Sequence, residues 1–111
     1  MAPITHIVLF QLKAELSATQ VQTANADMLA LKDRCLHPST GKPYIVSSKG
    51  GADNSIEGLQ GGITHAFVVE FASEEDREYY VTKDPAHQEF IKGLGALVDK
   101  AQVIDFTPGT F

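Results

Sequence analysis

The chain has one cysteine, Cys35, and no tryptophan among its 111 residues. A single thiol excludes an intrachain disulfide, which favours a reducing compartment. Cations are also scarce: nine Lys and Arg against fourteen Asp and Glu give a formal charge of -5. Phosphate backbones and anionic membrane surfaces are bound by clustered cations, so neither nucleic acid nor membrane is an expected partner. No apolar run is long enough to span a bilayer. The first ten residues lack the basic start and long apolar core of a secretory signal. The expected location is cytoplasmic. Residues 50–62 are rich in Gly, Asn and Ser but carry no Walker or dinucleotide pattern, so they read as a surface loop.

What is present suits one domain over residues 1–111, with 43% hydrophobic residues to build one modest core. Residues 4–13 are rich in β-branched and aromatic side chains and predict a strand. Ser17, with Gln20 three residues on, forms a capping box. Val21, Ala24, Met28 and Leu31 then recur at helical spacing up to about Arg34 or Cys35. Pro38, Gly41 and Pro43 mark a loop before a short strand at residues 44–48. Residues 63–72 predict a third strand. Ser73 and Asp76 open a short helix ending near Val81. Asp84 and Pro85 start the next one in the favoured order of cap and then proline. Phe90, Ile91, Leu94, Leu97 and Val98 form its apolar side. Residues 102–107 make the last strand.

The order β-α-β-β-α-α-β predicts an α+β fold of ferredoxin-like topology, with an antiparallel-type four-stranded sheet. The first and third strands are neighbours at its centre. With a two-residue period, His6, Val8, Phe10 and Leu12 share a face with His65, Phe67, Val69 and Phe71. Ile7, Leu9, Ala66 and Val68 lie on the opposite face, joined by Ile104 and Phe106. Helices cover one side of such a sheet, and soluble monomers avoid large bare apolar patches. A homodimer with sheets packed face to face is therefore expected.

Three histidines carry the chemical expectation. His87 sits in the first turn after the Asp84 cap, where a neutral imidazole serves as a general base. His6 and His65 sit near the starts of their strands. Parallel neighbours would place both at one end of the sheet, within reach of His87. Tyr79 and Tyr80 precede the capped turn, and either hydroxyl can hydrogen-bond a carbonyl or enolate. Three histidines can also form a facial metal site, but no HxH or HxxxH spacing supports one, and no metal or cofactor is expected. Cys35 has no local activator and reads as a small buried hydrophobe.

The segments His6-Ile7-Val8-Leu9-Phe10, Gly62-Ile63-Thr64-His65 and Asp84-Pro85-Ala86-His87-Gln88-Glu89-Phe90, closing with Asp105-Phe106-Thr107-Pro108, resemble the stress-responsive A/B barrel family. The resemblance implies a dimeric α+β barrel. Members include plant stress-associated proteins and a plant polyketide cyclase. The cyclase type implies a pocket between sheet and helices, with His87 as base and Tyr80 (or Tyr79) assisting an aldol closure of a ketide chain. His6, His65, Val8, Phe67 and Phe90 would line it. The usual turn reads His-Pro-Ala-His, and Asp84 takes the first position here.

The reading is a stress-response A/B barrel protein with an apolar pocket for a small apolar or phenolic metabolite. If it is an enzyme, it is a cofactor-independent, cyclase-like lyase. The alternative is a non-catalytic stress-associated oligomer. A less favoured one is an oxygenase or haem-binding relative.

Overall fold

A computed structural model describes residues 2–111. Its elements, in chain order, are strand β1 (Ile4–Leu12), helix α1 (Ala18–Arg34), strands β2 (Ile45–Ala52) and β3 (His65–Phe71), helices α2 (Glu74–Thr82) and α3 (Pro85–Leu94), and strand β4 (Val98–Phe106). The four strands form one antiparallel sheet in the order β2-β3-β1-β4. This is the ferredoxin-like α+β arrangement that the element order predicts.

Each helix begins where the sequence places a cap. The Ser17 side chain accepts from the Gln20 N–H, while the Gln20 side chain accepts from the Ser17 N–H. Ser73 accepts from the Asp76 N–H. Asp84 Oδ1 accepts from the backbone of Ala86 and His87, and Pro85 loses nothing in the first turn because its position needs no donor.

Three boundaries differ from expectation. Helix α3 stops at Leu94, and β4 begins at Val98, earlier than residue 102. Leu97 and Val98 therefore leave the helix: Val98 pairs with Leu12 across a register shift in β1, and Gly93 and Gly95 weaken the helix just before it. Strand β2 runs on to Ala52, into the stretch expected as loop. Gly50 explains that extension, because a Cβ there would overlap the Phe67 ring and stand 2.7 Å from the Ala66 carbonyl. Glycine lets the two backbones pair across a large buried aromatic.

The direction of β3 corrects a further expectation. The β1-α1-β2 crossover makes β1 and β2 the parallel pair, and β3 enters the gap between them running the other way. His6 lies opposite Val69, and His65 lies opposite Phe10. The two histidines share a face but are four register steps apart, about 13 Å at the usual strand rise. They occupy opposite ends of the sheet, not one end.

The core lies between the sheet and the helices. Ile4, Val8, Phe10, Leu12, Phe67, Val69 and Phe71 point into it, and Met28, Leu31, Cys35 and Tyr80 close it from above. Alternate residues face away: Ile7, Val68 and Ile104 stand in one cross-strand row, with Ile104 61% exposed. No helix is long and apolar enough to cross a membrane among the described residues.

Candidate functional site

The turn into α3 is fixed by a buried carboxylate. Asp84 is 1% exposed. One oxygen holds the first-turn amides, and the other accepts a 2.6 Å hydrogen bond from the Tyr44 hydroxyl. Burial raises the Tyr44 phenol, and the Asp84 carboxylate raises it further, so Tyr44 stays a donor. Cys35 packs beside this carboxylate. Burial, reinforced by Asp84, pushes its thiol up to about 12, so it is no nucleophile at neutral pH.

This anchoring orients His87. Its Nδ1 lies 2.8 Å from the Tyr80 carbonyl oxygen, which only accepts, so Nδ1–H donates and Nε2 keeps the lone pair. The imidazole stacks on the Tyr80 ring, with centroids 3.8 Å apart and planes 20° apart. Burial pushes His87 below the ordinary histidine range. The nearby His6 also lowers it, against opposing pulls from the Tyr80 carbonyl and Asp84. The result is a neutral imidazole with a basic Nε2.

His6 approaches from the sheet. It is 4% exposed, and its ring meets the Tyr80 ring edge-on at 5.7 Å. Its Nδ1 lies 2.5 Å from Asp105 Oδ1. Tyr80 thus stands between two imidazoles. Burial raises its phenol, which remains protonated and can donate.

A cavity of about 280 Å³ lies beside these groups, with His6, Val8, Tyr80, His87 and Phe90 in its wall. Met28, Leu94 and Val103 supply much of the remaining apolar lining. Three expected wall residues are elsewhere. His65 is at the far end of the sheet, bonded through Nδ1 to the Thr64 hydroxyl at 2.8 Å. Phe67 is sealed under the β2 edge against Phe10. Tyr79 turns the other way on α2 and packs against Tyr44. The antiparallel strand direction moves His65, and the helical phase of α2 selects Tyr80 over Tyr79. The separation of His65 also removes the three-histidine metal arrangement, and no cluster of His, Cys, Asp and Glu among the described residues is placed to hold a metal.

Sequence reasoning missed Asp105 and Arg77. Asp105 pairs with His6 in the β1–β4 register, and its second oxygen meets Arg77 Nη1 at 2.9 Å. An acidic residue inside the apolar run Val103-Ile104-Asp105-Phe106 was the available signal.

A ferredoxin-like sheet with helices on one face and a histidine-walled cavity between them defines the class of protein. The chain belongs to the stress-responsive A/B barrel domain family, whose model matches residues 4–108. It is 39% identical over 69 residues to a fusaristatin A biosynthesis cluster protein of Gibberella zeae, covering 61% of this chain and 49% of that one. The chain spans about half the length of the curated relatives it matches. It is similar in structure to an Arabidopsis thaliana protein, with TM-score 0.82, 29% identity and 97% of each chain covered. It is also similar to a hydroxynitrile lyase from Passiflora edulis, with TM-score 0.81, 26% identity and coverage of 99% and 97%. A dimeric protein from Thermobifida fusca shares the fold at 20% identity and TM-score 0.72, covering 96% of this chain and 91% of that one.

Proposed function

We propose that the cavity takes a small apolar or phenolic metabolite and that His87 acts on it as a cofactor-independent base. One observation carries this reading: the His87 Nδ1–H is committed to a backbone carbonyl, which leaves a neutral Nε2 at an apolar cavity. The chemistry suits an aldol-type closure of a ketide. Nε2 takes a proton from a carbon between two carbonyls, that carbon bonds to the carbon of a third, more distant carbonyl whose C=O π bond opens to an alkoxide, and the proton returns to that alkoxide. The Tyr80 hydroxyl, kept protonated by burial, donates a hydrogen bond to that oxygen. The names of two similar proteins, a hydroxynitrile lyase of Passiflora edulis and a biosynthesis cluster protein of Gibberella zeae, are in keeping with a small-metabolite ligand.

The test needs no knowledge of the natural substrate. Benzoylacetone has an acidic carbon between two carbonyls, and base catalysis exchanges its protons for deuterium in D2O. The wild-type protein should accelerate that exchange, and His87→Gln should lower the acceleration at least ~100-fold, the usual worth of a positioned base. An unchanged rate in His87→Gln would leave the rival reading, a non-catalytic stress-associated oligomer. One observation favours that rival: His65 stands apart from the other two histidines.

The open sheet face supports a homodimer, because Ile7, Leu9, Val68, Ile104 and Phe106 leave apolar surface that water disfavours. Light scattering at micromolar concentration should give twice the 12.0 kDa of one chain. Leu9→Lys should give the mass of one. A wild-type protein of single-chain mass would end the dimer reading.

A further inference from the structure

The cavity holds a second imidazole whose setting differs from that of His87. Behind His87 is a backbone carbonyl. Behind His6 is the Asp105 carboxylate, 2.5 Å from Nδ1. A carboxylate only accepts, so His6 carries its proton on Nδ1 and its lone pair on Nε2. When Nε2 takes up a second proton, the imidazolium sits against a negative charge, which a carbonyl does not supply. Such a carboxylate–imidazole pair fixes the tautomer, orients the ring and stabilises the protonated form.

The pair is itself held. Arg77 of α2 donates through Nη1 to the other Asp105 oxygen at 2.9 Å, so the carboxylate is gripped from two sides. The His6 ring plane is set by edge-on contacts with Phe71 at 5.8 Å and Tyr80 at 5.7 Å. The polar or charged groups that face His6 come from each neighbouring element: Asp105 from β4, Tyr80 and (through Asp105) Arg77 from α2, and His87 from α3. A buried wall histidine needs one partner for its ring N–H, whereas here that partner is a carboxylate held in turn by Arg77.

We propose that His6 is a second acid–base residue of the cavity, with Asp105 and Arg77 as its positioning residues. This rests on the reading of the cavity as the reaction site. His87 takes a proton from carbon. His6 takes one from a ligand hydroxyl or enol: the O–H bond breaks, an Nε2–H bond forms, and the resulting imidazolium is held by Asp105. On the return step the same proton goes back to oxygen. Two bases with different Nδ1 partners, a carboxylate and a backbone carbonyl, then serve two kinds of proton. Arg77 shares the carboxylate and so moderates how strongly Asp105 favours the imidazolium.

Nitrogen-15 NMR of the histidine rings in the full chain tests the dyad without any ligand. The neutral His6 should carry its proton on Nδ1. Asp105→Asn should lower the proton affinity of His6 at least tenfold. Arg77→Gln should raise it severalfold, and Arg77→Lys should restore it to within about twofold of wild type. A proton on Nε2, or a proton affinity that ignores both substitutions, overturns the dyad. If Asp105→Asn does not fold, the Arg77 pair alone decides, because the Arg77 side chain is only partly buried. For the catalytic part, His6→Gln should slow benzoylacetone exchange at least tenfold while the His87 ring signals keep their wild-type tautomer. An unchanged rate overturns it. The two readings fail separately: His87→Gln with full exchange removes the His87 base, whereas ring titrations that ignore Asp105 and Arg77 remove only the dyad.

Discussion

His6 and His65 are the same residue type, on the same face of the same sheet, in adjacent central strands. Only their ends differ. At the His6 end, β4 brings Asp105, α2 brings Tyr80, and α3 brings His87. At the His65 end, the ring meets Thr64, whose hydroxyl is already used to tie the Phe10 carbonyl and the Leu12 amide. One end has a cavity with three polar groups around it, and the other has a stitched loop. A histidine on an apolar strand becomes part of a candidate site through what the chain lays over it. Residue type and strand periodicity alone do not decide that.

The largest expected effect comes from breaking the cavity end at its anchor. Asp84→Ala removes a helix cap, worth about 1 kcal/mol. It also strands the Tyr44 hydroxyl without an acceptor, at about 1–3 kcal/mol. Urea unfolding should show a loss of about 3 kcal/mol, and the His87 tautomer should no longer be unique. The matching change at the other end is Thr64→Val, which removes hydrogen bonds to Leu12 and Phe10 at 3.0 and 3.1 Å. It should cost about 1 kcal/mol and leave the cavity as it was. Equal losses from the two substitutions would erase the difference in anchoring.

A smaller effect, on ligand affinity, separates the two histidines directly. His6→Ala should weaken benzoylacetone binding about tenfold, equivalent to about 1.4 kcal/mol. His65→Ala should leave it within about twofold. Isothermal calorimetry measures both, and equal effects would mean that the ligand occupies some part of the protein other than this cavity.

Much of this was legible in the sequence. The caps at Ser17, Ser73 and Asp84 are local chemistry, and each appears as expected. Strand alternation assigned both faces correctly, because the period of two depends on nothing beyond the strand. Direction and phase were less accessible. Whether His65 falls beside His6 depends on β3 running antiparallel, which the β1-α1-β2 crossover imposes from outside both strands. Whether Tyr79 or Tyr80 faces inward depends on how α2 rolls against the sheet, and a nine-residue helix has too few apolar positions to announce it. Asp105 was visible as an acidic interruption, yet its partner became evident only through the β4 register.

The smallest expected effect concerns acid stability at the cavity end. In the unfolded chain His87 titrates near the ordinary histidine value of about 6.5. In the fold, burial holds it lower. Between those two values the unfolded state binds the extra proton and the folded state does not. Stability from this group is therefore intact above about pH 6.5 and falls as the pH drops towards the folded value, by no more than about 1.4 kcal/mol per pH unit. Urea unfolding at pH 7.5, 6.5 and 5.5 should show a steeper loss for wild type than for His87→Gln, which has no proton to gain. Coincident slopes would mean that His87 takes up its proton in the folded state as readily as in the unfolded one. A base that readily charged would hold a proton on Nε2 over more of the working pH range, and that nitrogen would then be unable to take one from carbon.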